Sequence, residues 1–185
     1  MIRLFDFFFS LLGIIILSPI LILLYIIVLF ENSPPVFKQK RIGLDQKIFI
    51  IVKFRTMRIE TISAATHLVN NSMITPFGKF LRYTKLDEIP QLWNVLKGDM
   101  SLVGPRPCLL NQKKLISERK KRKVFKVKPG ITGLAQISKI TMKTPTLLAK
   151  TDLKMINQMN LLNYFYYVFK TLMLIIKKNN RTTLI

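Results

Sequence analysis

At 185 residues the chain is long enough for one domain with its own core, and its half-apolar composition is high for a soluble protein. With 30 Lys and Arg against 9 Asp and Glu, its net charge of +21 favours an anionic partner: nucleic acid, an anionic membrane surface or a phosphorylated substrate. A lone cysteine, Cys108, excludes an intrachain disulfide; beside Leu109 and Leu110 it reads as a packing residue rather than a nucleophile.

Phe7 to Phe30 carries no charge and exceeds the roughly 20 apolar residues that span a bilayer as a helix. A cleavable signal peptide fits poorly, because the run is too long and no small-residue cleavage site follows it. Ser18-Pro19 falls near its middle. Proline removes a helical hydrogen bond there, and lipid offers the freed backbone no water, so the Ser18 hydroxyl is well placed to satisfy it. Basic residues mark the cytoplasmic side of a membrane, and here they flank both ends: Arg3 before, Lys38, Lys40 and Arg41 after. Two topologies follow, a kinked helix that spans and a helix bent at Ser18-Pro19 that enters and leaves by one face.

Ser33-Pro34-Pro35 is a stiff exit turn. Residues 36–58 predict a strand pair around Gly43-Leu44-Asp45, with β-branched and aromatic enrichment in IFIIVKF. Lys53 and Arg55 alternate with Phe54 and so share the face opposite it. Residues 60–76 read as a loop or weak helix, with His67 alone and exposed. Gly78 to Tyr83 then leads into KLDEIPQLWNVLKGDMSLVGPRP, Lys85 to Pro107.

In that block two adjacent carboxylates, Asp87 and Glu88, stand where a helix begins. Pro90 suits a first turn; Leu92, Val95 and Leu96 give an apolar face; Lys97-Gly98 supplies the stop. The acids could simply complement the helix dipole. Lys53, Arg55, Arg82 and Arg106 also offer cations for a polyphosphate, beside which carboxylates can hold Mg²⁺ or attack phosphorus. Both readings stand on the residues alone.

Lys113 to Lys128 is crowded with Lys and Arg around one acid, Glu118, and reads as a solvated helical face or a patch on anionic lipid. Pro129-Gly130-Ile131-Thr132-Gly133 predicts a tight turn whose glycines allow positive φ or close approach to a ligand. Leu161 to Ile176 is short for a span and holds Lys170, which fits an amphipathic helix in the interface plane.

From about Asp6 to Tyr167 the chain resembles the bacterial sugar transferases, the small monotopic phosphoglycosyl transferases. The likeness is carried by the apolar segment with Ser18-Pro19, by KFRTM from Lys53 to Met57, by LDEIPQLWNVLKGDMSLVGPRP and by PGITGLAQ from Pro129 to Gln136, all in order. It implies an α/β, mostly helical protein: a re-entrant membrane helix over 1–32, a cytoplasmic catalytic domain with short strands over 33–160, an interfacial helix over 161–178 and a tail over 179–185. It further implies transfer of a sugar 1-phosphate from a UDP-sugar to a polyprenyl phosphate, of undecaprenyl type, at the cytoplasmic face of the bacterial inner membrane. Such a step begins a surface polysaccharide, lipopolysaccharide or glycoprotein glycan. By this likeness Asp87 is the nucleophile that forms a covalent phosphosugar. Glu88 joins it at Mg²⁺ or accepts a proton, Arg106 and Arg82 contact phosphate, and Lys53 and Arg55 form a second pair.

Some positions depart from the family pattern. Asn71-Ser72-Met73 replaces an Asp-x-Arg; near the C-terminus Asp152 fits, while Met155, Asn160 and Tyr164 stand where Tyr, Ser and a second Asp are common. The stretch TMKTPTLLAKTD from Thr141 is similar to members acting on N-acetylated 6-deoxy sugars. Two other classes compete. A nucleic-acid binder should interleave basic patches with stacking aromatics, and none appears, so no nucleic-acid partner is expected. A non-catalytic membrane scaffold explains the charge and the apolar helices but leaves the ordered motifs idle.

Overall fold

A computed structural model describes residues 1–31, 34–58 and 73–180. Ser33, most of the stretch from 60 to 76, His67, Asn71-Ser72 and residues 181–185 lie outside the described residues. The apolar N-terminal run forms one helix, α1 (Ile2–Glu31), continuous through Pro19. Pro19 has no N–H to offer the Ile15 carbonyl, and the Ser18 hydroxyl donates to that carbonyl instead, at 2.8 Å. Among the described residues α1 alone is long and apolar enough to cross a membrane.

The predicted hairpin is present. β1 (Val36–Ile42) pairs antiparallel with β2 (Ile48–Phe54), Val36 opposite Phe54 and Ile42 opposite Ile48. In the turn Asp45 takes a left-handed φ of 47°, a conformation Asp tolerates better than most residues. The end of β2 is buried on both faces, Ile51 against Val95 and Met100, Phe54 against Leu24, Val28 and Leu81.

Helix α2 (Pro76–Thr84) begins as its sequence dictates, with the Thr75 hydroxyl accepting from Gly78 N–H and Pro76 in the first turn. Lys85, at φ 65°, ends it and turns the chain into a 3-10 turn, Leu86–Glu88. Asp87 and Glu88 therefore precede helix α3 (Gln91–Lys97) rather than lying in its first turn. Gly98 stops α3 as predicted, with φ 96° and its N–H shared between the Asn94 and Val95 carbonyls. The apolar face of α3 is only part of what it buries. Gln91 and Asn94 are buried beside Val95, while Trp93 is exposed. Asn94 covers the edge of β2, accepting from Val52 N–H and donating to the Ile50 carbonyl.

Pro129 to Gly133 is a correction. Instead of a tight turn it holds strand β4 (Gly130–Thr132), parallel to β3 (Ser101–Val103). None of its glycines has the positive φ of a turn. The close approach expected of Gly130 is to backbone, not ligand: a Cβ there would collide with the backbone N and Cα of Gly104.

The C-terminal part is helical: α4 (Lys113–Lys121), α5 (Leu134–Ile137), α6 (Pro145–Asn157) and α7 (Leu161–Asn180). Cys108 is fully buried with Leu115, Phe125, Ala135 and Leu148, the packing role its neighbours predict. The basic run needs one correction, because Arg119 is not on its surface. It is 2 % exposed and ion-paired with Asp152 of α6, while Lys113, Lys114, Lys120 and Lys121 point outward. Helix α7 buries Tyr164 and Tyr167 against Val103 and Met155 and leaves Leu162, Phe165, Phe169 and Leu172 exposed.

Both ends of α1 are bonded to this body. Near its start Arg3 donates to the Val95 and Leu96 carbonyls at the end of α3, at 2.5 and 2.8 Å. Buried Asp6 accepts from Ser101 Oγ, Leu102 N–H and Tyr164 OH at 2.9–3.0 Å. At its other end Glu31 accepts from Thr75 Oγ1 and from Phe77 N–H at the start of α2. Tyr164, a departure from the family pattern, thus has a partner from the opposite end of the chain.

Candidate active site

The 3-10 turn after α2 delivers Asp87 and Glu88 into the space between β2 and the Gly104-Pro105-Arg106-Pro107 loop. Both carboxylates are buried, at 7 % and 9 % exposure. Their surroundings differ. Glu88 Oε1 lies 3.3 Å from Lys53 Nζ and 2.5 Å from Arg106 Nη2, and its Oε2 accepts from Arg106 Nη1 at 3.3 Å. Asp87 Oδ1 is buried with no hydrogen-bond partner.

Electrostatics follow from this asymmetry. Burial pushes the Asp87 carboxyl up to about 6, with the adjacent Glu88 charge adding to the rise. Burial would also raise Glu88, but Arg106 and Lys53 outweigh it and hold that carboxyl well below its usual range. Burial pushes Lys53 down to about 8, against the pull of Glu88. Glu88 in turn raises the Arg106 guanidinium. One acid is a clamped anion; its neighbour is a desolvated carboxyl with an unpartnered oxygen.

Of the predicted cations, Arg106 and Lys53 reach the pair. Arg82 does not touch it: its Nε donates to Thr56 Oγ1 at 2.8 Å. Burial lowers its guanidinium, with Asp87 and Glu88 pulling the other way, so it stands within their field. Arg55 is turned elsewhere. The strand ends at Phe54, and Arg55 donates to the Pro34 carbonyl and lies over the Phe37 ring, 5.8 Å from its centroid. Its alternation with Lys53 holds only while the chain stays extended.

One cation escaped the sequence reading as a site residue. Arg41, read above as a flanking charge, is 8 % exposed and donates to the Pro107 carbonyl at 3.1 Å. Burial, and then Arg106, push it down to about 10. Strand parity carries the missing signal: Lys38 and Lys40 face out, so Arg41 faces in.

The donor set bears on a metal. Among the described residues no three His, Cys, Asp or Glu side chains converge. Glu88 already serves two cations, and Asp87 Oδ1 is the carboxylate oxygen of the pair left buried without a hydrogen-bond partner. That suits Mg²⁺ carried on a diphosphate and touched by one carboxylate, rather than an ion in a protein cage.

Residues 1–178 match the family described as bacterial sugar transferase. Over 107 residues the chain is 50 % identical to an uncharacterized sugar transferase, EpsL, of Bacillus subtilis, covering 58 % of this chain and 52 % of that protein. Over 154 residues it is 44 % identical to a UDP-glucose:undecaprenyl-phosphate glucose-1-phosphate transferase of Klebsiella pneumoniae, covering 78 % and 32 %. It is 37 % identical over 153 residues to an undecaprenyl-phosphate galactose phosphotransferase of Salmonella typhimurium, covering 74 % and 32 %. The chain thus spans from about a third to a half of the length of these relatives.

Proposed function

The chain belongs to the bacterial sugar transferase family, and on that premise we propose that it transfers a sugar 1-phosphate from a UDP-sugar to a polyprenyl phosphate, with Asp87 as the nucleophile. The observation that carries this reading is the buried, unpartnered Asp87 Oδ1 beside a glutamate held by Arg106 and Lys53. A carboxyl raised to about 6 is a more basic, stronger nucleophile than an ordinary aspartate, yet is still mostly ionised above pH 7.

In the first step an Asp87 carboxylate oxygen bonds to the phosphorus that carries the sugar. The bond from that phosphorus to the bridging oxygen breaks, and UMP leaves with the electron pair. In the second step an oxygen of the polyprenyl phosphate attacks the same phosphorus and the bond to Asp87 breaks, restoring the carboxylate. Two anions repel before they react, so Arg106 and Lys53 must neutralise the diphosphate first. Asp87 is the residue that would help hold Mg²⁺, and the ion would supply further neutralisation of phosphate charge. Glu88, held well below the usual range, is a poor proton acceptor and serves to aim the two cations. Arg82 and Arg41 add positive potential behind them.

The topology belongs to the same proposal. A helix of 30 residues is about 45 Å long, and a helix that left the body to span a bilayer would free at least one end from it. Here Arg3 and Asp6 at one end and Glu31 at the other are bonded to the body. That supports a helix entering and leaving by the cytoplasmic face, with the exposed apolar residues of α1 and α7 in lipid and the outward lysines of α4 near anionic headgroups. A lipid phosphate and a soluble nucleotide sugar could then meet without either crossing the membrane.

The test is a panel of UDP-sugars with polyprenyl phosphate and Mg²⁺, read by UMP release and by mass spectrometry of the protein for a phosphosugar on Asp87. UMP release with an adduct that vanishes in Asp87→Asn is the expected result. No release across a broad panel would overturn the reading.

A further inference from the structure

Arg106 is held from behind as well as in front. Gly104 N–H donates to the Thr132 carbonyl at 2.8 Å, and the carbonyl of each following residue is taken in turn. Pro105 O accepts from Gly130 N–H at 2.9 Å, Arg106 O from Arg119 Nη1 at 2.8 Å, Pro107 O from Arg41 Nη1 at 3.1 Å and Cys108 O from Ile42 N–H at 3.1 Å. Pro105 and Pro107 have no N–H, so at those residues the backbone can be fixed only through carbonyls.

The carbonyl of Arg106 itself is claimed by the side chain of Arg119, from α4. That side chain reaches the loop because Asp152 of α6 takes its Nε at 3.0 Å and stands 2.8 Å from its Nη2. Both residues are almost wholly buried, at 2 % and 1 % exposure, and the transfer steps above use neither. Burying two charges costs much of what their attraction returns, and a well-packed apolar pair often joins two helices as well or better. An apolar pair could not donate to the Arg106 carbonyl. We infer that Arg119, oriented by Asp152, is a positioning residue: it fixes the backbone under Arg106 so that the guanidinium meets Glu88 squarely and keeps its outer side for a substrate phosphate. The substrate in this statement rests on the function proposed above; the geometry does not.

The experiment replaces the pair by apolar residues of similar volume, Arg119→Met with Asp152→Leu, and follows thermal unfolding beside two other readouts. The first needs no substrate. Phenylglyoxal modification of Arg106, mapped by mass spectrometry, is expected to speed up by about tenfold as one charge-assisted contact to Glu88 loosens, with the unfolding midpoint held within a few degrees. The second is single-turnover UMP release. Misplacement on the scale of 1 Å predicts a loss of about 100-fold. If Arg119 acts through Arg106, the same replacement in an Arg106→Lys background costs less than about threefold more.

Unchanged Arg106 modification, or equal losses in the two backgrounds, would overturn the positioning role. A drop in midpoint with all buried arginines modified faster together would assign the pair to folding alone and overturn it as well. Should the native chain release no UMP, the proposed function fails, and the modification readout still decides the positioning claim.

Discussion

Replacing Glu88 by Gln keeps the shape of the clamp and removes its charge, and the consequence can be worked out for each neighbour. On the proposed mechanism, transfer in the native chain requires Asp87 ionised and Lys53 protonated. Activity should therefore fall as pH drops through about 6 and again as it rises through about 8. Lys53 is held as high as 8 because Glu88, 3.3 Å away, opposes the burial that lowers it. Loss of an opposite charge at such range moves a pKa by about 1–3, so the alkaline limb should shift to about 7 or below. Asp87 loses the like charge that adds to its rise, so the acid limb also moves down. Both limbs shift the same way, whereas simple damage to the fold would lower the rate without moving either. The assay is initial UMP release from pH 5 to 9 for the native chain, Glu88→Gln and Lys53→Met. An alkaline limb that stays near 8 in Glu88→Gln, or persists in Lys53→Met, would refute the assignment of that limb to Lys53 and of its height to Glu88.

Three further outcomes follow from the same geometry. Asp87→Asn should abolish the adduct and yet stabilise the fold: the gap between 3.8 and about 6 corresponds to roughly 3 kcal/mol at neutral pH, which calorimetry or denaturant unfolding would read as a higher midpoint. Gly130→Ala should destabilise by about 3 kcal/mol or more, since its Cβ would drive apart the backbones of Gly104 and Gly130; an unchanged midpoint would mean the two strands can separate at little cost. Cys108 is fully buried, so a cysteine placed at the partly exposed Ile2 is the thiol to follow. It should be labelled only from the side of the membrane that holds the body, and labelling from the other side would remove the re-entrant topology.

What the sequence revealed and what it hid divide along the range of the interactions. The hairpin, the Gly98 stop and the Ser18 hydroxyl bonded to Ile15 are local, each fixed within a few residues, and each was readable from composition and spacing. The clamp on Glu88 was readable in part, because Lys53 and Arg106 lie in dense motifs. Arg55 was misplaced because alternation stops where the strand stops. Arg119 and Asp152 are separated by 33 positions, and nothing local marks one arginine in a basic run as the one that turns inward. Leu115, one helical turn before Arg119, is the nearest signal, since the two share a face. Pro129-Gly130-Ile131-Thr132-Gly133 misled for a related reason. A glycine required by close packing of two backbones looks, in sequence, like a glycine required by a turn.

The two acids also show why the proposed chemistry would need both. Sharing one environment, both would rise together, or neither would, and the pair would supply either two poor nucleophiles or two uncharged acids. Instead burial raises both, and Arg106 and Lys53 outweigh it only at Glu88. The sign of each contribution to stability then differs. Glu88, depressed when folded, stabilises the protein above its unfolded pKa near 4.5, and that stabilisation is lost as pH falls toward its folded value. Asp87, raised when folded, does the reverse. It favours the fold below 3.8, and that advantage disappears as pH rises through about 6, leaving a buried, unsatisfied charge at neutral pH. The strain sits on the group proposed to react, and the neighbouring glutamate and its two cations keep it there. A diphosphate is itself anionic, so on the proposed mechanism Arg106 and Lys53, already gathered on Glu88, must neutralise it before the unpartnered Asp87 can approach its phosphorus.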